Sequence, residues 1–168
     1  MSQIQHIRML SRYAAWANER LYEMLADLPG HELTKPHPIV FGSILRTLNH
    51  VYVVDLLWRA HLRGTAHGLT TRNPDECPPF AELRAAQQDI DRWYIQYSDD
   101  MQESSCVKIV NFTFIEGGNG SMSRGDIVLH VINHTTYHRG HIGCMIYQVP
   151  AEPPTTDLPV FLRERAKE

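Results

Sequence analysis

Four stretches of about twenty residues, each with apolar side chains at helical spacing and three of them closed by proline or glycine, most tightly limit what this chain can fold into. The first runs from Ile4 to Leu28, with Ile7, Leu10, Trp16, Leu21 and Leu25 along it and Pro29-Gly30 at its end. The second, Phe41 to Leu62, carries Ile44, Leu45, Leu48, Val51, Val54 and Trp58 and halts at Gly64. A loop with Gly68, Pro74, Pro78 and Pro79 leads to the third, Phe80 to Met101, with Leu83, Ala86, Ile90, Tyr94 and Tyr97. The fourth, Ile127 to Val149, follows Ser123 and Asp126, which have the spacing of a capping box, and stops before Pro150. Val107 to Ile115 alternates β-prone residues and runs into the glycine-rich Glu116 to Gly120, the pattern of a short strand or hairpin. The expected fold is therefore all-α: a four-helix bundle with a short hairpin or strand connector before the last long helix. Sites in such bundles are built from facing side chains in the core. A proline-rich stretch, Pro150 to Pro159, leads to a last helical turn or two around Val160 to Arg165.

At 168 residues and 43% hydrophobic composition, one sizeable core is expected and the whole span 1–168 reads as a single domain. The formal net charge of −3, without a basic run interleaved with aromatics, argues against a nucleic-acid footprint or an anionic membrane surface. No stretch has the length and polarity of a membrane span or a signal peptide. Cys77, Cys106 and Cys144 are an odd set without CxxC spacing, as expected of free thiols in a reducing compartment. The expected location is cytoplasmic.

The chemistry should lie in the histidines, of which there are ten. His130, His134, His138 and His141 fall within an arc of about 80° on the fourth helix. Pairs at i and i+4, His134 with His138 or His130 with His134, bring two imidazoles close enough to chelate one ion. A third ligand from the same helix would be strained, so it is expected from a facing helix. His50 is the best placed, amid Leu48, Val51, Val54 and Leu57, where an unpartnered imidazole is costly to bury. His61, eleven residues on, is about 16 Å further along the axis and reads as a helix-end histidine. No glutamate follows His134, so the HExxH protease pattern is absent. A core histidine is also commonly satisfied by backbone or hydroxyl groups, and spacing alone does not separate that reading from a metal site.

Tyr13-Ala-Ala-Trp-Ala-Asn18 in the first helix, Leu48-Asn-His50 with Asp55 and Trp58 in the second, and Asn133-His134-Thr-Thr-Tyr-His138-Arg139-Gly140 in the fourth together resemble the DinB-like (DinB/YfiT) superfamily. The closing Asp157-Leu-Pro-Val-Phe-Leu162 resembles that family's C-terminal segment. The resemblance implies a four-helix bundle, often dimeric, that holds one divalent transition metal, commonly nickel or zinc, on His50, His134 and His138. It also implies a homodimer and a small-molecule substrate. His141 departs from the pattern, which usually shows glutamine there, and His130 is common in the family without being a usual ligand. Three imidazoles leave a coordination position open, so metal-assisted hydrolysis and thiol transfer are both chemically available. The function expected is a metal-dependent enzyme, a thiol S-transferase-like protein or hydrolase. The alternative is a non-catalytic metal- or ligand-binding protein of stress responses.

Further expectations follow from the residues. Each ligating ring should have its other nitrogen held by a carbonyl, side chain or water. Asp55, about 140° around the helix from His50, should serve support of the ligands, helix packing or a dimer contact rather than ligation. Arg139 should bridge to a neighbouring helix or chain, and Gly140 should permit close helix contact. Tyr13, Trp16, Tyr137, Met145 and Tyr147 are candidates for burial between two chains.

Overall fold

The computed structural model describes residues 2–149 and 151–166, so Pro150, the expected stop of the fourth long helix, lies outside the described residues. The element order is α1 (Gln3–Ala26), α2 (Gly30–Thr34), α3 (Ile44–Arg63), α4 (Phe80–Asp100), α5 (Glu103–Cys106), β1 (Ile109–Thr113), β2 (Asn119–Ser123), α6 (Arg124–Ile146) and α7 (Leu158–Arg165). The fold is mostly helical with one small two-stranded sheet. The four long helices α1, α3, α4 and α6 match the four periodic stretches, and each packs on two others: α1 on α4 and α6, α3 on α4 and α6. The short helices α2 and α5 were not expected; at five and four residues they are too brief for a periodic signal.

Local signals set the ends. Ser43 caps α3, its Oγ accepting from the Arg46 N–H at 3.3 Å, which moves the start three residues past the expected Phe41. Gly64 closes the helix in the left-handed conformation that glycine adopts freely (φ 66°). Ser123 caps α6, accepting from the Asp126 N–H at 3.1 Å and donating to its carboxylate at 2.6 Å. β1 and β2 pair antiparallel, Ile109 opposite Ser123 and Thr113 opposite Asn119, and Phe112 packs edge-on against Trp58 of α3. Gly120 opposes Phe112, and a Cβ there would lie 2.6 Å from the phenyl ring, so the ring seats only over a glycine.

Two apolar clusters form the core. One gathers Ile7, Val54, Trp58, Ile90, Ile127, Val128 and Val131. The other gathers Leu25, Ile44, Leu48, Leu83, Ile142, Met145 and Ile146. Fully buried Leu, Ile or Val side chains each contribute roughly 1.5–3 kcal/mol, so these clusters dominate the driving force. Between them every long helix turns a polar side chain inward: Asn18 from α1, Asp55 from α3, Gln87 and Asp91 from α4, Thr135 and Arg139 from α6. His50, His134 and His138 lie at this same polar waist along α3 and α6. The final helix α7 seats Phe161 against Tyr13 and Trp16, with Glu164 accepting from the Trp16 indole and from Arg20.

Candidate metal centre

His134 and His138 stand one turn apart on α6, and the packing of α3 against α6 brings His50 onto the same point. The ligand atoms of the three residues all lie within 4.8 Å of one another, forming a group that can hold a metal ion. The His134 Nε2 is 3.2 Å from the His50 Nε2 and 3.1 Å from the His138 Nε2. Nitrogens bound tetrahedrally at 2.0–2.1 Å from an ion are separated by about 3.3 Å, so the spacing suits shared ligation.

The hydrogen bonds favour a cation over a neutral polar cluster. The His50 Nδ1–H donates to the Arg72 carbonyl at 2.8 Å, which in a neutral ring leaves the Nε2 lone pair facing the other two imidazoles. The His134 Nε2 meets two neighbours and can place a proton toward only one of them. The Nδ1 atoms of His134 and His138 are buried without a hydrogen-bond partner among the described residues, contrary to the expectation that each ring would be held at its second nitrogen. Only His50, on α3, lies beside a loop carbonyl. That loop is tied down where Arg72 pairs with Glu116 of the hairpin turn.

The electrostatics keep the rings neutral. Burial, then the neighbouring imidazoles of His138, His50 and His130, push His134 down to about 3. Burial, then His50 and His141, push His138 down to about 4. His50 is lowered by burial, partly offset by its bond to the Arg72 carbonyl. Near neutral pH all three are uncharged, the form that ligates.

The other histidines fall outside the group. His130 is 5.9 Å from His134 between ring centroids and packs edge-on against Trp58. His141 is 5.2 Å from His138 and 4.4 Å from Tyr137, and its Nδ1 is buried without a partner. His61 packs against Trp58, His67 and Phe112, away from the site as expected.

Asp55 lies outside the three-histidine group and belongs to the waist. Gln87 Nε2 donates to Asp55 and to Asp91 at 3.0 Å each, Asn18 Nδ2 donates to Asp91, and Arg139 donates to Asn18 Oδ1 at 3.1 Å and to Thr136 Oγ1 at 2.9 Å. Burial drives Asp55 well above the carboxylate range and raises Asp91 to about 6. Arg139 thus bridges α6 to α1 as expected. Gly140 does not mediate a close helix contact: a Cβ there would meet nothing within 4 Å, because the glycine lines an open groove between α6 and Pro153–Asp157. Sequence reasoning missed two features of the centre. The Arg72 carbonyl leaves no side-chain signal, and Phe41, which stacks on His50 at 4.1 Å between centroids, was read only as the start of a helix.

The chain is mostly helical and brings three neutral imidazoles from two facing helices together as a group that could hold a metal ion. The chain belongs to the DinB family, whose model matches residues 1–168. It is 26% identical to Protein DinB of Bacillus subtilis (strain 168) over 159 residues, 91% of each chain. Its fold is similar to that of a DinB-like protein from Bacillus cereus ATCC 10987, known from a crystal structure, with a TM-score of 0.63 at 16% identity over 83% of this chain and 89% of that one.

Proposed function

We propose that the protein is a metal-dependent member of the DinB family in which His50, His134 and His138 hold one divalent transition ion, nickel or zinc. The observation that carries this reading is the convergence of three Nε2 atoms with the His50 Nδ1–H committed to the Arg72 carbonyl. A bound ion would supply Lewis acidity and lower the pKa of a water or thiol at its open position. The chain's own part is to hold three neutral rings in place and to bury them on two helices. Thiol S-transfer or hydrolysis is the chemistry this arrangement supports.

The same reading takes the four long helices as a four-helix bundle, residues 1–168 as a single domain and the location as cytoplasmic, in keeping with three free cysteines. It also takes the protein as a homodimer. Met145, Tyr13 and Trp16 are taken up within the chain, but Tyr137 on α6 and Tyr147 just past its end stand 63% and 73% exposed, where a two-fold interface can cover them.

Elemental analysis of untagged protein tests the first claim: about one nickel or zinc per chain is expected, and none for His134→Ala. A panel of thiols with electrophiles and esters then separates the two functions. Thiol-dependent turnover lost on chelation supports the enzyme; stoichiometric metal with no turnover supports the binding protein. Light scattering decides assembly, since a mass near 19.3 kDa rejects the dimer.

A further inference from the structure

Among the described residues, Phe41 is the one non-glycine residue with a positive φ, 66°. A side chain there is strained by contact between its Cβ and the backbone, and such positions persist only where the surroundings over-determine them. The loop around it does so. The His37 N–H donates to the Gly42 carbonyl at 2.7 Å, the Ile39 N–H to the His37 carbonyl at 2.8 Å, and the Gly42 N–H to the Ile39 carbonyl at 2.9 Å. His37 is buried with its Nδ1 3.3 Å from the Gln148 Oε1, and Ser43 on the other side caps α3.

What the strain secures is a contact with the three-histidine group. The phenyl ring stacks on His50 at 4.1 Å and 25°, and lies 5.4 Å from His138 at 54°. Phe41 is half-buried and belongs to neither apolar cluster, so core filling does not account for a bulky ring at a backbone position that suits glycine. The other contacts of His50 are at its edges, the Arg72 carbonyl at Nδ1 and the His134 and His138 rings around Nε2, so the flat face of the imidazole is held by Phe41.

We infer that Phe41 is a positioning residue of the metal centre: its ring fixes the His50 imidazole in the ligating orientation and closes one face of it to incoming small molecules. This rests on the metal-binding reading above. A free His50 ring would have to be ordered on binding, and stacked aromatic partners shift equilibria by up to about tenfold beyond the area they bury.

The test uses the full chain, stripped of metal, with Co(II) as the probe and three readouts: the dissociation constant, the visible absorption of the bound ion, and the Tm of the metal-free protein. Phe41→Gly removes the ring and accommodates the φ; Phe41→Leu keeps apolar bulk and strain but lacks the flat ring. Expected for both is a Co(II) dissociation constant about five- to tenfold weaker with an altered absorption band. The metal-free Tm of Phe41→Gly should stay level. Dissociation constants within twofold of the parent, or a Tm loss of several degrees in Phe41→Gly with Co(II) affinity unchanged, overturn the inference and leave the metal site standing. A parent protein that takes up no Co(II) overturns both together.

Discussion

Arg139→Met removes the cation of the polar waist while keeping most of its apolar stem. The guanidinium is 8% exposed; it bonds Asn18 and Thr136 and lies 5.5 Å above the Tyr13 ring. Arg139 reaches the buried Asp91 through Asn18 rather than directly, and removing a buried charge that offsets another costs up to about 3–5 kcal/mol, because the ionised carboxylate then stays buried without compensation. For a chain of this length about 1 kcal/mol corresponds to roughly 2–4 °C, so Tm should fall by about 10 °C. The loss must also depend on pH. Asp91 has its folded pKa raised from the usual 3.8 to about 6, so the stability it contributes is full below 3.8 and is lost as pH rises through 6. Without Arg139, which holds that carboxyl down, its folded pKa moves higher and the loss continues beyond pH 6. The gap between parent and variant should therefore widen from pH 5.5 to pH 8, and adding Asp91→Asn should narrow it by up to about 3 kcal/mol at the upper end. Urea denaturation at both pH values reads this directly. A destabilisation below about 1 kcal/mol, or one equal at both pH values, refutes the reasoning.

Three further outcomes are expected. His134→Ala removes the imidazole that meets both others, so it should abolish stoichiometric metal binding while leaving the metal-free Tm level or raised, read by calorimetry with and without metal. Because burial holds His134 near 3 and His138 near 4, below the ordinary histidine value, their contribution to metal-free stability is full above about 6.5 and is lost as pH falls toward those values; a melting series from pH 7.5 to 4.5 should show the decline, smaller in His134→Ala. Gly120→Ala places a methyl carbon 2.6 Å from the Phe112 ring and should destabilise by about 1–3 kcal/mol through overpacking, measured by thermal unfolding.

The four long helices were legible because each must bury an apolar stripe for most of its length, and the hairpin because Val107–Ile115 alternates before adjacent glycines. The helix ends shifted where a cap decided them: Ser43 rather than Phe41 starts α3, since only a side-chain oxygen reaches the Arg46 N–H. His134 and His138 were visible as an i, i+4 pair. His50 required a partner helix that spacing could nominate but not position. The waist was legible only in part: a supporting place for Asp55 and a bridge from Arg139 were expected, but Gln87 and Asp91 read alone as ordinary polar helix residues, and nothing in sequence brings the four together. Phe41 and the Arg72 carbonyl escaped because backbone conformation and main-chain acceptors leave no trace in residue type.

The waist has a consequence for how this protein can evolve. On α6, His138 and Arg139 are consecutive, one facing the imidazole group and the next the buried carboxylates, so any roll of that helix that retunes the centre also disturbs the interior charge balance. The centre is in this way locked to the foldability of the chain and can drift little on its own. New chemistry in descendants of this sequence should instead arise in the segments that border the centre without carrying the waist: the Lys35–Gly42 turn, the long connection from Gly64 to Pro79, and the tip of the hairpin.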